Sequence, residues 1–211
     1  RERIETALAN WNSPAPPLGL PAGGAADGER RNIEMTGKEQ AVVTLGFPGC
    51  TLDDPDRCVL DLISEALNDM GSRLFLKIRE ELGLAYYVGT QNFTGRVPGC
   101  FSFYAGTAAD TAEQVETELL NQARCLASDG LTEDELHRAK AKLIGHKKIA
   151  RQDLGSVAFA TCMDELLGLG YDHHADEDAR IQAVTLEQVQ HVSARYLGAD
   201  IFATAVSLPR K

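Results

Sequence analysis

Between Ser72 and Thr90 the chain reads Ser-Arg-Leu-Phe-Leu-Lys-Ile-Arg-Glu-Glu-Leu-Gly-Leu-Ala-Tyr-Tyr-Val-Gly-Thr, which brings one arginine and a tyrosine pair to a single corner. A guanidinium and a phenol both donate hydrogen bonds, so Arg79 with Tyr86 or Tyr87 could grip a peptide carbonyl.

The elements that must position them follow from periodicity. Leu74, Phe75, Ile78 and Leu82 fall within about 100° of one another on a helical wheel, and Gly83 follows as a stop signal. Arg79 lies about 40° from Phe75, at the edge of the apolar stripe, whereas Arg73, Lys77 and Glu80 point well away from it. Arg79 is therefore expected to be the least solvated basic residue of this helix. Glu81 borders the opposite edge, so docking of Arg79 or Glu81 at an interface accounts for the pattern equally well. Ala85 to Thr90 is aromatic and β-branched, which predicts a strand.

The chain has 211 residues, enough for one large domain or two small ones. A net charge of −10 disfavours nucleic acid and anionic membrane surfaces as partners and suits basic peptides. Apolar runs fall short of the roughly 18 residues that a membrane span needs, so a soluble chain is expected and its compartment stays open. Cys50, Cys58, Cys100, Cys125 and Cys162 show no Cys-x-x-Cys spacing. Cys100 and Cys162 stand in apolar contexts that predict inert burial, while pairing of Cys50 with Cys58 is left open.

Arg1 to Trp11 reads as the tail of a helix and Asn12 to Gly28 as a linker rich in proline and glycine. Residues 1–28 are thus expected to end one domain and lead into another at 29–211. Strands are predicted at Asn32 to Met35, Gln40 to Phe47, Ala85 to Asn92, Gly99 to Gly106 and Ile201 to Ser207. Helices are predicted from an Asp53 or Asp54 cap to Met70, over Thr111 to Ser128, and from capping boxes at Thr132 and Thr185, with Gly145 and Gly155 able to bend or split the middle one. The order implies an α+β fold, a mainly antiparallel sheet with helices on one face.

Self-contained chemistry is otherwise sparse. His137, His146, His173, His174 and His191 form neither a His-x-x-Glu-His nor a His-Glu-x-x-His pattern, and there is no phosphate loop or Gly-x-Ser-x-Gly elbow. His173, His174, Asp176 and Glu177 are dense in potential ligands, but a loop signal at Gly168 to Gly170 makes them an interhelical turn rather than a metal site.

Ser-Arg-Leu-Phe-x-x-Ile-Arg-Glu-Glu-Leu-Gly-Leu-Ala-Tyr at Ser72 to Tyr86 resembles the signature of the insulinase, pitrilysin and mitochondrial processing peptidase superfamily, in its domain that does not bind zinc. The hairpin Gly99 to Gly106, the stretch from Gly130 to Lys140, and Ile181 to Leu197 resemble the same domain in the same order, so the likeness covers about Glu29 to Leu208. It implies a half-domain of the metallohydrolase type in a clamshell zinc endopeptidase. Zinc would be held by another domain or by a partner subunit, with none bound by this chain. The family pairs an arginine and a tyrosine seven positions apart, a spacing that Arg79 and Tyr86 share. By this likeness Tyr86 would assist at the oxyanion and Arg79 would anchor a substrate carbonyl. Tyr87, which would point to the opposite face if both lay in the strand, becomes a core aromatic.

The partners implied are a peptide substrate and a homologous zinc-bearing domain or subunit, in one polypeptide or as a homo- or heterodimer. Without the zinc motif the chain alone is expected to be inactive. The alternatives are a structural core subunit of the same fold and a peptide-binding module.

Overall fold

Alternation in the strand sequences sets the architecture. In Ala-Val-Val-Thr-Leu-Gly-Phe-Pro (β2, Ala41–Pro48) every second residue, Ala41, Val43, Leu45 and Phe47, is buried, and Val42, Thr44 and Gly46 are only half-buried. Antiparallel β4 (Cys100–Thr107) lies beside it in a register that sets Phe101 opposite Phe47, Phe103 opposite Leu45 and Ala105 opposite Val43. One sheet face therefore collects large apolar side chains, and the other collects Thr44, Gly46, Ser102 and Tyr104.

The computed structural model describes residues 2–10 and 30–210. Five strands form one mixed sheet in the order β1-β5-β2-β4-β3, where β1 is Arg30–Thr36, β3 is Tyr87–Phe93 and β5 is Ala203–Pro209. Only β1 and β5 run parallel; the other three pairs are antiparallel. The fold is α+β, as the sequence predicts. Near the N-terminus α1 (Glu2–Leu8) stands where a helical tail is expected and buries no side chain. The linker expected at Asn12 to Gly28 lies outside the described residues.

Helices cover the apolar face. Val59, Leu60, Leu62, Ile63, Ala66 and Leu67 of α2 (Asp56–Leu67) are buried, with Val115, Leu119, Ala123 and Leu126 of α4 (Ala112–Asp129) and Val189, Val192 and Leu197 of α8 (Leu186–Leu197). Phe103 is at the centre, edge-on to Phe47 at 6.0 Å and to Phe101 at 5.6 Å. Both predicted capping boxes are present, at Thr132 for α5 (Glu133–Ala150) and at Thr185 for α8.

Several boundaries differ from the sequence reading. Helix α2 begins after Pro55, with Asp54 Oδ1 accepting from Asp56 N–H (2.8 Å), and stops at Leu67 rather than Met70. The stop has a physical cause: the Asn68 amide pairs with the Thr90 backbone, donating to its carbonyl (2.7 Å) and accepting from its N–H (2.7 Å). The middle helical stretch splits at Arg151 to Asp153, and Asp153 caps α6 (Leu154–Leu166) by accepting from Ser156 N–H (2.7 Å).

Cys162 corrects an expectation. It is exposed, because no side chain of α6 is buried; an apolar sequence there makes a helix on the surface rather than in the core. All five cysteines are free thiols, so Cys50 and Cys58 do not pair. Burial first, then the negative charges of Asp54 and Asp61, push the Cys50 thiol up to about 11, which keeps it protonated and unreactive at neutral pH.

Because Phe103 is fully buried against two other rings, Phe103→Ala is expected to cost about 3–5 kcal/mol. Urea unfolding checks this: the midpoint should fall with the slope unchanged, and a loss under about 1 kcal/mol would mean that the core is packed elsewhere.

Candidate functional site

The corner begins at Ser72, whose hydroxyl accepts from Phe75 N–H (3.2 Å) and starts the short helix α3 (Arg73–Phe75). The chain runs straight on into a π-helix over Leu76–Glu81, closed by Leu82 N–H on the Lys77 carbonyl (3.1 Å). The wider turn changes which residues face inward. Leu74 and Ile78 are buried, whereas Leu82, predicted on the inner stripe, is 37% exposed. Gly83 then takes φ +63°, a left-handed conformation that a side chain would strain, and Leu84 N–H reaches back to the Ile78 carbonyl (2.9 Å). Leu84 and Ala85 return to the core, where the Thr107 hydroxyl donates to the Leu84 carbonyl.

Arg79 and Tyr86 both project from this corner into solvent. The wheel predicts Arg79 to be the least solvated basic residue of this helix, but it is exposed while Arg73 and Lys77 are half-buried; what holds its guanidinium is the Phe75 ring, 4.9 Å from its centroid, in a cation–π contact. Tyr86 is 57% exposed and precedes β3. Its N–H donates to the Gly106 carbonyl (2.8 Å), and Gly106 is also the residue that Tyr87 faces in the ladder. Tyr86 thus stands just outside the one-to-one ladder that begins at Tyr87.

Tyr87 is not a core aromatic. It is on the sheet face away from the helices, with its ring over Gly106, where a Cβ would come within 2.2 Å of it, and 6.3 Å from the Tyr104 ring. The space left by a glycine holds it there, which strand alternation alone does not reveal.

Arg73 is the other correction. The wheel points it at solvent, yet it is half-buried and makes a bidentate pair with Glu135 of α5, Nε to Oε1 (2.7 Å) and Nη2 to Oε2. Glu135 is also the third residue of the Thr132 capping box, accepting from Thr132 N–H (2.8 Å) and its hydroxyl (3.0 Å). Burial alone would raise the Glu135 carboxyl, but Arg73 and Thr132 outweigh it and hold it below its ordinary value; Glu135 in turn pushes Arg73 up. The capping box was legible as a motif, but its arginine partner is 62 residues away and carried no signal.

The histidine cluster is structural. Glu177 is bound by Lys147 (2.6 Å) and Arg151 (3.0 Å), and Arg151 also donates to the His174 carbonyl (2.9 Å). No group of three or more His, Cys, Asp or Glu able to hold a metal occurs among the described residues. Among the described residues, concavities lie elsewhere. One of about 240 Å³ is lined by Arg57, Asp61, Lys147 and Glu177, and a groove of about 800 Å³ runs over Thr44, Gly46, Ser102 and Ala205. Neither includes Arg79 or Tyr86.

Residues 2–143 match the peptidase M16 inactive domain, with the Ser72 to Tyr86 corner inside the match. The chain belongs to the peptidase M16 family. It is 32% identical over 201 residues to an uncharacterized zinc protease of Streptomyces coelicolor, covering 94% of this chain and 44% of that protein. The chain thus spans less than half the length of that relative. Among solved structures, a Helicobacter pylori protease matches 95% of this chain and 49% of its own with a TM-score of 0.84 at 20% identity. The peptidase M16 inactive domain from Pseudomonas fluorescens matches 93% and 47% with a TM-score of 0.77 at 24% identity. At these identities the structural matches establish the M16 fold alone.

A carboxyl held below its unfolded value stabilises the fold above that value and ceases to do so as pH falls through the folded one. The advantage of the wild type over Glu135→Gln in urea midpoint is therefore expected to shrink as pH drops from about 5 to about 3. A difference that is constant across this range would show that the Glu135 charge contributes nothing.

Proposed function

We propose that this M16 domain is the substrate-gripping half of a zinc-dependent endopeptidase, working opposite a zinc site carried by the remainder of the protein or by a partner subunit. The observation that carries this reading is the corner itself: Arg79 and Tyr86 stand exposed, seven positions apart, on a segment whose other side is anchored by Leu74, Ile78, Leu84 and Ala85. Scaffolding alone gives no reason to present a phenol and a guanidinium together outside the core.

The residues divide the work. The Tyr86 hydroxyl is a donor for the oxyanion that forms as a peptide carbonyl is attacked, and it acts most strongly where the facing half excludes water. Arg79 anchors a substrate backbone carbonyl through its fork of donors, with the guanidinium plane steadied by Phe75. The zinc, when bound in the facing half, supplies the Lewis acid. Among the described residues there is no ligand set for it, and the chain alone is expected to be inactive. The relatives' naming as zinc proteases and the net charge of −10, which draws basic peptides, support the reading.

The test is peptide cleavage by the intact parent protein. Tyr86→Phe is expected to lower kcat by on the order of 10²-fold with the fold intact, whereas Arg79→Ala is expected to raise KM about tenfold. Wild-type turnover in Tyr86→Phe would sink the half-site and leave a structural subunit of the M16 fold.

A further inference from the structure

The segment that carries Arg79 is poorly held by burial. From Arg73 to Glu81 only Leu74 and Ile78 are buried, and two apolar contacts on one side of a helical turn leave its rotation about its own axis weakly determined. Among the described residues, the pair between Arg73 and Glu135 is the one side-chain hydrogen-bonded tie from this segment to another element. Lys77 pairs only with Glu81 of the same turn.

Both ends of the tie are fixed. Glu135 is 8% exposed, and its carboxylate is oriented by the Thr132 N–H and hydroxyl before Arg73 arrives, because the same carboxylate closes the cap of the 18-residue helix α5. A bidentate fork adds geometry to attraction, since two parallel N–H···O bonds fix the guanidinium plane as well as its distance. Arg73 stands three positions before the first residue of the π-helix, and Arg79 lies within it.

We infer that Arg73 and Glu135 are positioning residues, and that their bidentate pair sets the rotation of the π-helix and so aims Arg79 at the substrate carbonyl. This rests on the reading of Arg79 as a substrate anchor. The pair is not itself in contact with substrate; it acts through Arg79, so its loss is felt in binding before turnover.

The experiment uses the intact parent protein with a peptide substrate, measuring kcat, KM and the thermal midpoint. Glu135→Gln is the informative variant, because glutamine still accepts from Thr132 N–H and keeps the capping box while losing the charge and the fork. The expected result is a KM raised about tenfold with kcat within about twofold, and no further rise when Glu135→Gln is combined with Arg79→Ala. Arg73→Lys keeps a charge but cannot supply the fork, so it is expected to raise KM in the same direction, and it carries the test should Glu135→Gln fail to fold. A lower thermal midpoint with reduced kcat, unchanged KM and equal losses in both backgrounds would mark the pair as structural only and overturn the inference. An unchanged KM in Arg79→Ala would overturn the anchor reading and the aiming with it. A raised KM in Arg79→Ala with normal KM in both Glu135→Gln and Arg73→Lys would overturn the aiming alone.

Discussion

The site depends on a corner that is buried on one side only. Between Arg73 and Tyr87 the chain must leave a helix, reverse and enter a strand while keeping Leu74, Ile78, Leu84 and Ala85 in the core. An α-helix ending in a tight turn would carry Leu82 inward with them. The π-helix widens the turn instead, so that Ile78 is the last helical anchor and the chain swings outward through Leu82 and Gly83 before Leu84 returns. Insertion of this kind costs hydrogen-bond quality and recurs at functional sites, because it is kept where the displaced side chains are useful. Here the π-helix carries Arg79, and the chain that swings outward after it leads to Tyr86.

The sheet makes the corner rigid from the other end. Gly106 is the meeting point: its carbonyl receives Tyr86, its missing side chain makes room for the Tyr87 ring, and its neighbour Thr107 holds the Leu84 carbonyl. Phe103, three residues back on the same strand, is packed between Phe47 and Phe101.

How much of this was legible in the sequence follows the range of each interaction. The strands of period two and the capping boxes at Thr132 and Thr185 rest on residues within one or two turns of each other. The misses have longer reach. A wheel drawn at a constant angle per residue cannot foresee a π-helix, so it put Leu82 inside and Arg73 outside. Arg73 is half-buried because of Glu135, which no local pattern connects to it. Tyr87 was assigned to the core by taking it and Tyr86 as alternating within one strand from Ala85, whereas β3 begins only at Tyr87. Cys162 was assigned to the core because apolar composition says which residues favour burial and not whether a helix packs on anything.

Asn68 ends α2 by pairing its amide with both backbone groups of Thr90, and β3 is the outermost strand on that side of the sheet. The amide therefore occupies the donor and acceptor that an incoming strand from another molecule would need at the middle of β3. On the opposite border Arg210 donates to the Met35 carbonyl of β1 (3.2 Å). Each border of the sheet is thus interrupted by a polar side chain, and neither offers the unbroken ladder on which chains add to one another and aggregate.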